Sequence, residues 1–244
     1  MIGERSLWQS IKTNFKFSKH ELVAIVVSIL IIGFIVSFRS WGEEVFDAKV
    51  GLYNFINALI VSVLAVIASQ SVTRIMGLDL GFKVEYRIWI YGVLIGLVLC
   101  IVTRGHIWFL VPGGIILHEM VGHRLGYFRY WAMHRQRAAV ASAGPFANLA
   151  LALLFKILWT AGLQNPVVHM AIVVNVWYAF FQMLPIPPLN GSVVFFFSRL
   201  QYAVKFGLVL GCALFLVYVA NIWLALFGAL VFTILGFAAG LKYG

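Results

Sequence analysis

Leu184-Pro185-Ile186-Pro187-Pro188-Leu189-Asn190-Gly191 interrupts an apolar run that begins at residue 166. Three prolines within four residues cannot continue a helix, because proline lacks an N–H and clashes with the carbonyl four residues back. Irregular backbone at membrane depth survives only where protein or a water-filled cavity covers it. The stretch either lines an interior or forms a plain loop just outside the membrane, and its residues alone leave both open. In the first case Asn190 is the natural hydrogen-bonding group, with Pro185 and Pro188 shaping the loop around it. A neutral amide is a weaker zinc ligand than a carboxylate but a good partner for an extended peptide backbone.

The chain around this loop is a membrane protein by composition. Of its 244 residues 63% are hydrophobic and 11% charged, and its mean hydropathy is +0.99. A soluble domain is nearer half apolar and a quarter charged. Soluble enzymes, disordered tails and disulfide scaffolds are excluded, and Cys100 and Cys212 read as small apolar side chains. Eight stretches are apolar enough to count as spans: 22–38, 51–72, 88–103, 107–122, 143–163, 166–184, 204–219 and 221–241. The last two form one run of about 36 residues, roughly 54 Å as a single helix and well beyond the bilayer core, so a turn near Asn221 is expected. The expected fold is an all-α polytopic membrane protein in a single domain. It has an N-terminal basic segment and first span (1–50), a core (51–200) and a C-terminal helical hairpin (201–244).

With the N-terminus in the cytoplasm, alternation puts fourteen of the eighteen basic residues inside. Arg39, Lys49 and Arg104 fall outside, and Lys156 lies within a span. The positive-inside rule thus predicts an integral membrane protein with both termini cytoplasmic. The net charge of +10 is explained by topology and contact with the lipid bilayer, not by nucleic acid. Gly81 to Trp89 alternates apolar and charged residues, the period of a strand with one covered face, so a small cytoplasmic-side β element is expected.

Two further segments carry groups capable of chemistry. His118-Glu119-Met120-Val121-Gly122-His123 places two histidines around a glutamate, as zinc peptidase helices do. Those helices space their histidines four apart, about 40° around the axis; here they are five apart, about 140°. Sharing a metal needs a bulge, which Gly122 tolerates; otherwise the segment is a polar helix end in water. Ala143-Gly144-Pro145-Phe146-Ala147-Asn148 suits a helix entry, with Asn148 turned to the bundle interior as a packing or substrate-positioning group.

The pair Ala143-Gly144-Pro145-x-x-Asn148 and Leu184 to Gly191, in that order on separate spans, resembles the site-2 protease family of intramembrane zinc metalloproteases. Gly81 to Trp89 is similar to a stretch that archaeal members carry after the zinc helix, and the likeness covers about residues 60–200. The resemblance implies a zinc motif at residues 69–73, with Ser69 and Thr73 in the histidine slots and Gln70 in the glutamate slot. Gln182 falls in the slot of the second motif's asparagine, and Asn190 in that of its zinc-binding aspartate. Every implied ligand and the general base are replaced by neutral polar residues, which cannot hold Zn²⁺.

The resemblance then implies a pseudoprotease that needs no cofactor. It would bind a transmembrane helix or an extended peptide of a partner, using Gly81 to Trp89 with Glu85, Asn148 and the Pro185–Asn190 loop. A rival alignment takes His118 and His123 as zinc ligands, Asn190 as the third, and Glu119 as general base of an active intramembrane metalloprotease. A third reading is a transporter or a structural subunit of a membrane complex, for which the intramembrane Lys156 and His169 are the relevant groups.

Overall fold

In the computed structural model the described residues are 4–41, 46–120 and 130–243. Among them, α1 (Glu4–Asn14) and α2 (Lys19–Ser37) lead into α3 (Ala48–Asp79), β1 (Phe82–Ile88), α4 (Ile90–Val102) and β2 (Gly113–Glu119). There follow α5 (Tyr130–Thr160), α6 (Pro166–Gln182), α7 (Asn190–Phe197), α8 (Arg199–Tyr218) and α9 (Ile222–Tyr243). Among the described residues five helices are long and apolar enough to cross a membrane: α2, α3, α5, α8 and α9. The apolar helices α4 and α6 are shorter. Polar caps start several of them. Ser18 and Glu21 form a reciprocal capping box on α2, Asp47 caps α3, and Asn165 precedes Pro166 at the head of α6. Asn221 Oδ1 accepts from the Trp223 and Leu224 N–H groups, making the expected turn between α8 and α9.

The expectation of eight spans is corrected at 107–122. Its described part, 107–120, is not a helix. It returns beside α4 as irregular and extended chain over 106–112 and becomes β2. α4 has 13 residues, about 20 Å of helix, and seven extended residues cover about 23 Å, so outward and return legs match. Glycines on α4 admit the returning backbone. A Cβ at Gly96 would stand 2.8 Å from Phe109 O, and one at Gly92 2.5 Å from Val111 O. Leu110 and Val111 are buried, which satisfies the requirement that irregular backbone be covered.

β1 and β2 pair antiparallel, from Phe82 opposite Glu119 to Ile88 opposite Gly113. The even-numbered residues Phe82, Val84 and Tyr86 are buried and face the helices. Val84 packs on α3, where a Cβ at Gly77 would meet its Cγ2 at 2.5 Å. The Tyr86 N–H, turned away from β2, donates to Glu21 Oε1 (3.1 Å). Glu21 also takes the Arg74 guanidinium, whose Nη1 reaches Lys16 O (2.7 Å). Phe17 lies 4.1 Å from that guanidinium, ring centroid to Cζ. This buried knot ties the start of α2, the end of α3 and β1 together. It also takes one outward N–H of β1, that of Tyr86. The outward-turned backbone of the sheet belongs to β2, at Ile115 and Leu117.

Candidate functional site

α3, α5, α6 and α7 converge on a buried polar cluster. Ser69 and Thr73 are one turn apart on α3 and both are fully buried. The Thr73 hydroxyl donates to its own helix, at Ser69 O (2.7 Å). Gln182 closes α6, and its Oε1 accepts from Ser69 Oγ (3.3 Å) and from Asn190 Nδ2 (3.2 Å). Asn190 opens α7 directly after the proline loop. The loop is held at both ends. Tyr202 Oη donates to Met183 O (3.1 Å), and a Cβ at Gly191 would collide with that carbonyl at 2.1 Å. Of the sequence-named slots, Gln182 therefore bridges Ser69 and Asn190 across three helices.

Gly144 seats α5 on this cluster. A Cβ there would lie 2.6 Å from both Ser69 Oγ and Thr73 Oγ1. The expectation that Ala143-Gly144-Pro145 starts a helix is corrected, because Pro145 lies inside α5. Proline mid-helix leaves the carbonyl four residues back without its usual donor. Asn148, one turn beyond Gly144 on the same face, is fully buried, and neither its Oδ1 nor its Nδ2 has a partner among the described residues. Gln70 is buried too and faces another neighbour, the Tyr178 hydroxyl, which also reaches Tyr86. Tyr86 Oη in turn lies 2.9 Å from Ser28 Oγ, and burial pushes its phenol up to about 12. Sequence reasoning missed this Ser28–Tyr86–Tyr178–Gln70 relay and the Glu21–Arg74 pair. The signal for the pair was the Ser18-x-x-Glu21 capping box.

The hairpin lies against the proline loop. A Cβ at Gly114 would stand 2.4 Å from Pro188 O, so β2 touches the loop backbone directly. Pro185 and Pro188 are exposed, in contrast to the buried Asn190. Glu85 does not join this cluster. It sits on the outward face of β1, bonded to Arg87 Nε (3.0 Å) and His118 Nε2 (3.1 Å). The Arg87 guanidinium holds its carboxyl below the usual value, against a smaller opposing effect of burial, and His118 adds to the lowering.

The expected helix through His118 and Glu119 is corrected as well. Both lie in β2, where neighbouring side chains point to opposite faces. His118 accordingly meets Glu85, whereas Glu119 takes Arg137 Nη2 (2.9 Å). His123 lies outside the described residues. Among the described residues no three His, Cys, Asp or Glu are grouped to hold a metal ion. The Ser69–Gln182–Asn190 cluster offers only hydroxyl and amide donors, already bonded to one another, and does not fit the zinc that the resemblance implies.

No family model and no solved structure matches the chain. It is 26% identical over 198 residues to a Methanocaldococcus jannaschii protein named "Putative zinc metalloprotease", covering 78% of this chain and 91% of that one. Together with the motif pair on α5 and the α6–α7 loop, this likeness supports a site-2 protease-like family for the chain.

Proposed function

We propose that this membrane protein keeps the shape of a site-2 protease site without its metal chemistry, and that it holds a transmembrane or extended segment of a partner without cutting it. The observation that carries this reading is that Gln182 hydrogen-bonds both Ser69 and Asn190. Side chains at two implied ligand slots, Ser69 and Asn190, are tied to the Gln182 amide, where a metal site would aim charged or imidazole donors at a common point. The outward backbone of β2, beside the Pro188 carbonyl, is the edge at which an extended peptide adds a strand. Asn148, buried with both amide atoms unpartnered among the described residues, is a further group to receive a partner's backbone.

The test is binding of a candidate partner's transmembrane peptide to the purified chain, with and without chelator. Binding unchanged by chelator, with the peptide intact, supports the reading. Cleavage that a chelator stops and Glu119→Gln abolishes would establish the rival metalloprotease reading through His118, Glu119 and His123.

A further inference from the structure

A cavity of about 1460 Å³ opens where the end of α2, the start of α3 and the turn after α4 meet. It lies at the opposite end of α3 from Ser69. Arg39, Asp47, Arg104, His106 and Trp108 are among its lining residues. A second cavity of about 390 Å³ shares His106 and Trp108 with the first, and is otherwise lined by Ile107, Val173, Trp177, Phe181 and Tyr218. One wall thus separates a basic chamber from an aromatic groove.

The turn carrying these residues is well tied. Thr103 Oγ1 accepts from the Ile107 N–H (3.1 Å), and Thr103 O accepts the His106 N–H (3.2 Å) and His106 Nδ1–H (2.7 Å). That leaves His106 Nε2 available. Arg104 and Gly105 both sit at positive φ, 52° and 75°. A Cβ at Gly105 would stand 2.8 Å from Arg39 Cγ, so glycine there lets the Arg39 stem cross the turn. Neither arginine has an ion-pair partner among the described residues; Glu43 and Glu44 fall outside them. Asp47 turns its carboxylate on the head of α3, accepting from the Lys49 and Val50 N–H groups. Arg39 and Arg104 are also two of the three loop cations that the positive-inside pattern leaves on the wrong side. The positive-inside bias does not account for them.

We propose that the two cavities form one site for an anionic phospholipid. Its phosphate sits between the Arg39 and Arg104 guanidiniums, whose planar forks match phosphate oxygens. One acyl chain lies along Trp177 and Phe181. The site is independent of the function proposed for the Ser69 cluster.

Native mass spectrometry of the full chain in detergent tests it, with dioleoylphosphatidylglycerol, dioleoylphosphatidylcholine or inorganic phosphate added. One phosphatidylglycerol per chain is expected to survive activation that strips phosphatidylcholine, and phosphate does not displace it. Retention falls about tenfold in Arg39→Gln/Arg104→Asn, since each arginine adds to the attraction and asparagine accepts the left-handed backbone. It falls also in Val173→Trp, which fills the groove and leaves the charges. Equal retention of both lipids, or retention unchanged in the arginine variant, overturns the proposal. So does displacement by phosphate with Val173→Trp unaffected, which marks a free-anion site. Thermal midpoints establish that each variant is folded, and Arg39→Gln alone, at an exposed position, serves if the double variant is not.

Discussion

Gly144 is the residue on which the polar cluster closes. Its missing side chain lets α5 pack where a Cβ would stand 2.6 Å from both Ser69 Oγ and Thr73 Oγ1. Gly144→Ala therefore overpacks the site, and a loss of about 1–3 kcal/mol is expected, read as a lower thermal midpoint in detergent. Gln182→Leu leaves Asn190 Nδ2 without its acceptor and costs about 1 kcal/mol by the same measurement, the scale of an interhelical hydrogen bond in a membrane. The slots Ser69, Gln70, Thr73, Gln182 and Asn190 were legible only through the family resemblance, because neutral polar residues spaced along apolar runs carry no chemical signal of their own. Asn148 and Gly144 stood out by motif, but their packing partners lie on distant stretches that periodicity does not pair.

At the scale of elements, hydropathy located helices well and geometry poorly. The apolar runs at 22–38, 51–72, 143–163, 204–219 and 221–241 fall largely within the long helices. The run at 107–122 misled because hydropathy reports burial, and an extended leg buried at Leu110 and Val111 is as apolar as a span. The pointers to it were Pro112-Gly113-Gly114 and the glycines at 92 and 96. Gly96→Val sets a branched side chain against Phe109 O and is expected to detach the return leg, seen as new proteolytic cleavage between residues 104 and 112. Alternation revealed β1, but its partner was hidden under the His118–His123 motif. Arg74→Met strands the buried Glu21 carboxylate and is expected to cost about 3–5 kcal/mol, with Glu21→Gln recovering part of it in the double variant. On the hairpin's outer face the Glu85 carboxyl is held low by Arg87 and then His118. Its lowered value means the pairing stabilises the fold above the ordinary carboxylate range and is lost as pH falls through the depressed pKa. Glu85→Gln should flatten the acid limb of a thermal-midpoint profile below the ordinary carboxylate range.

The whole molecule joins a membrane-embedded helical bundle, a hairpin resting on its proline loop, and a converged polar cluster built without acids or imidazoles. Composition alone placed the chain in the bilayer. The convergence of α3, α5, α6 and α7 on one point needed three-dimensional packing, which no stretch of sequence spells out. The central claim is that this convergence holds no metal. Elemental analysis of the purified, tag-free protein in detergent tests it most directly, with His118→Ala/His123→Ala as control. The account predicts no stoichiometric zinc in a protein whose thermal transition shows it to be folded. About one zinc per chain, lost in the control, would contradict it, because the metal would then sit on the hairpin side of the molecule and the chemistry with it.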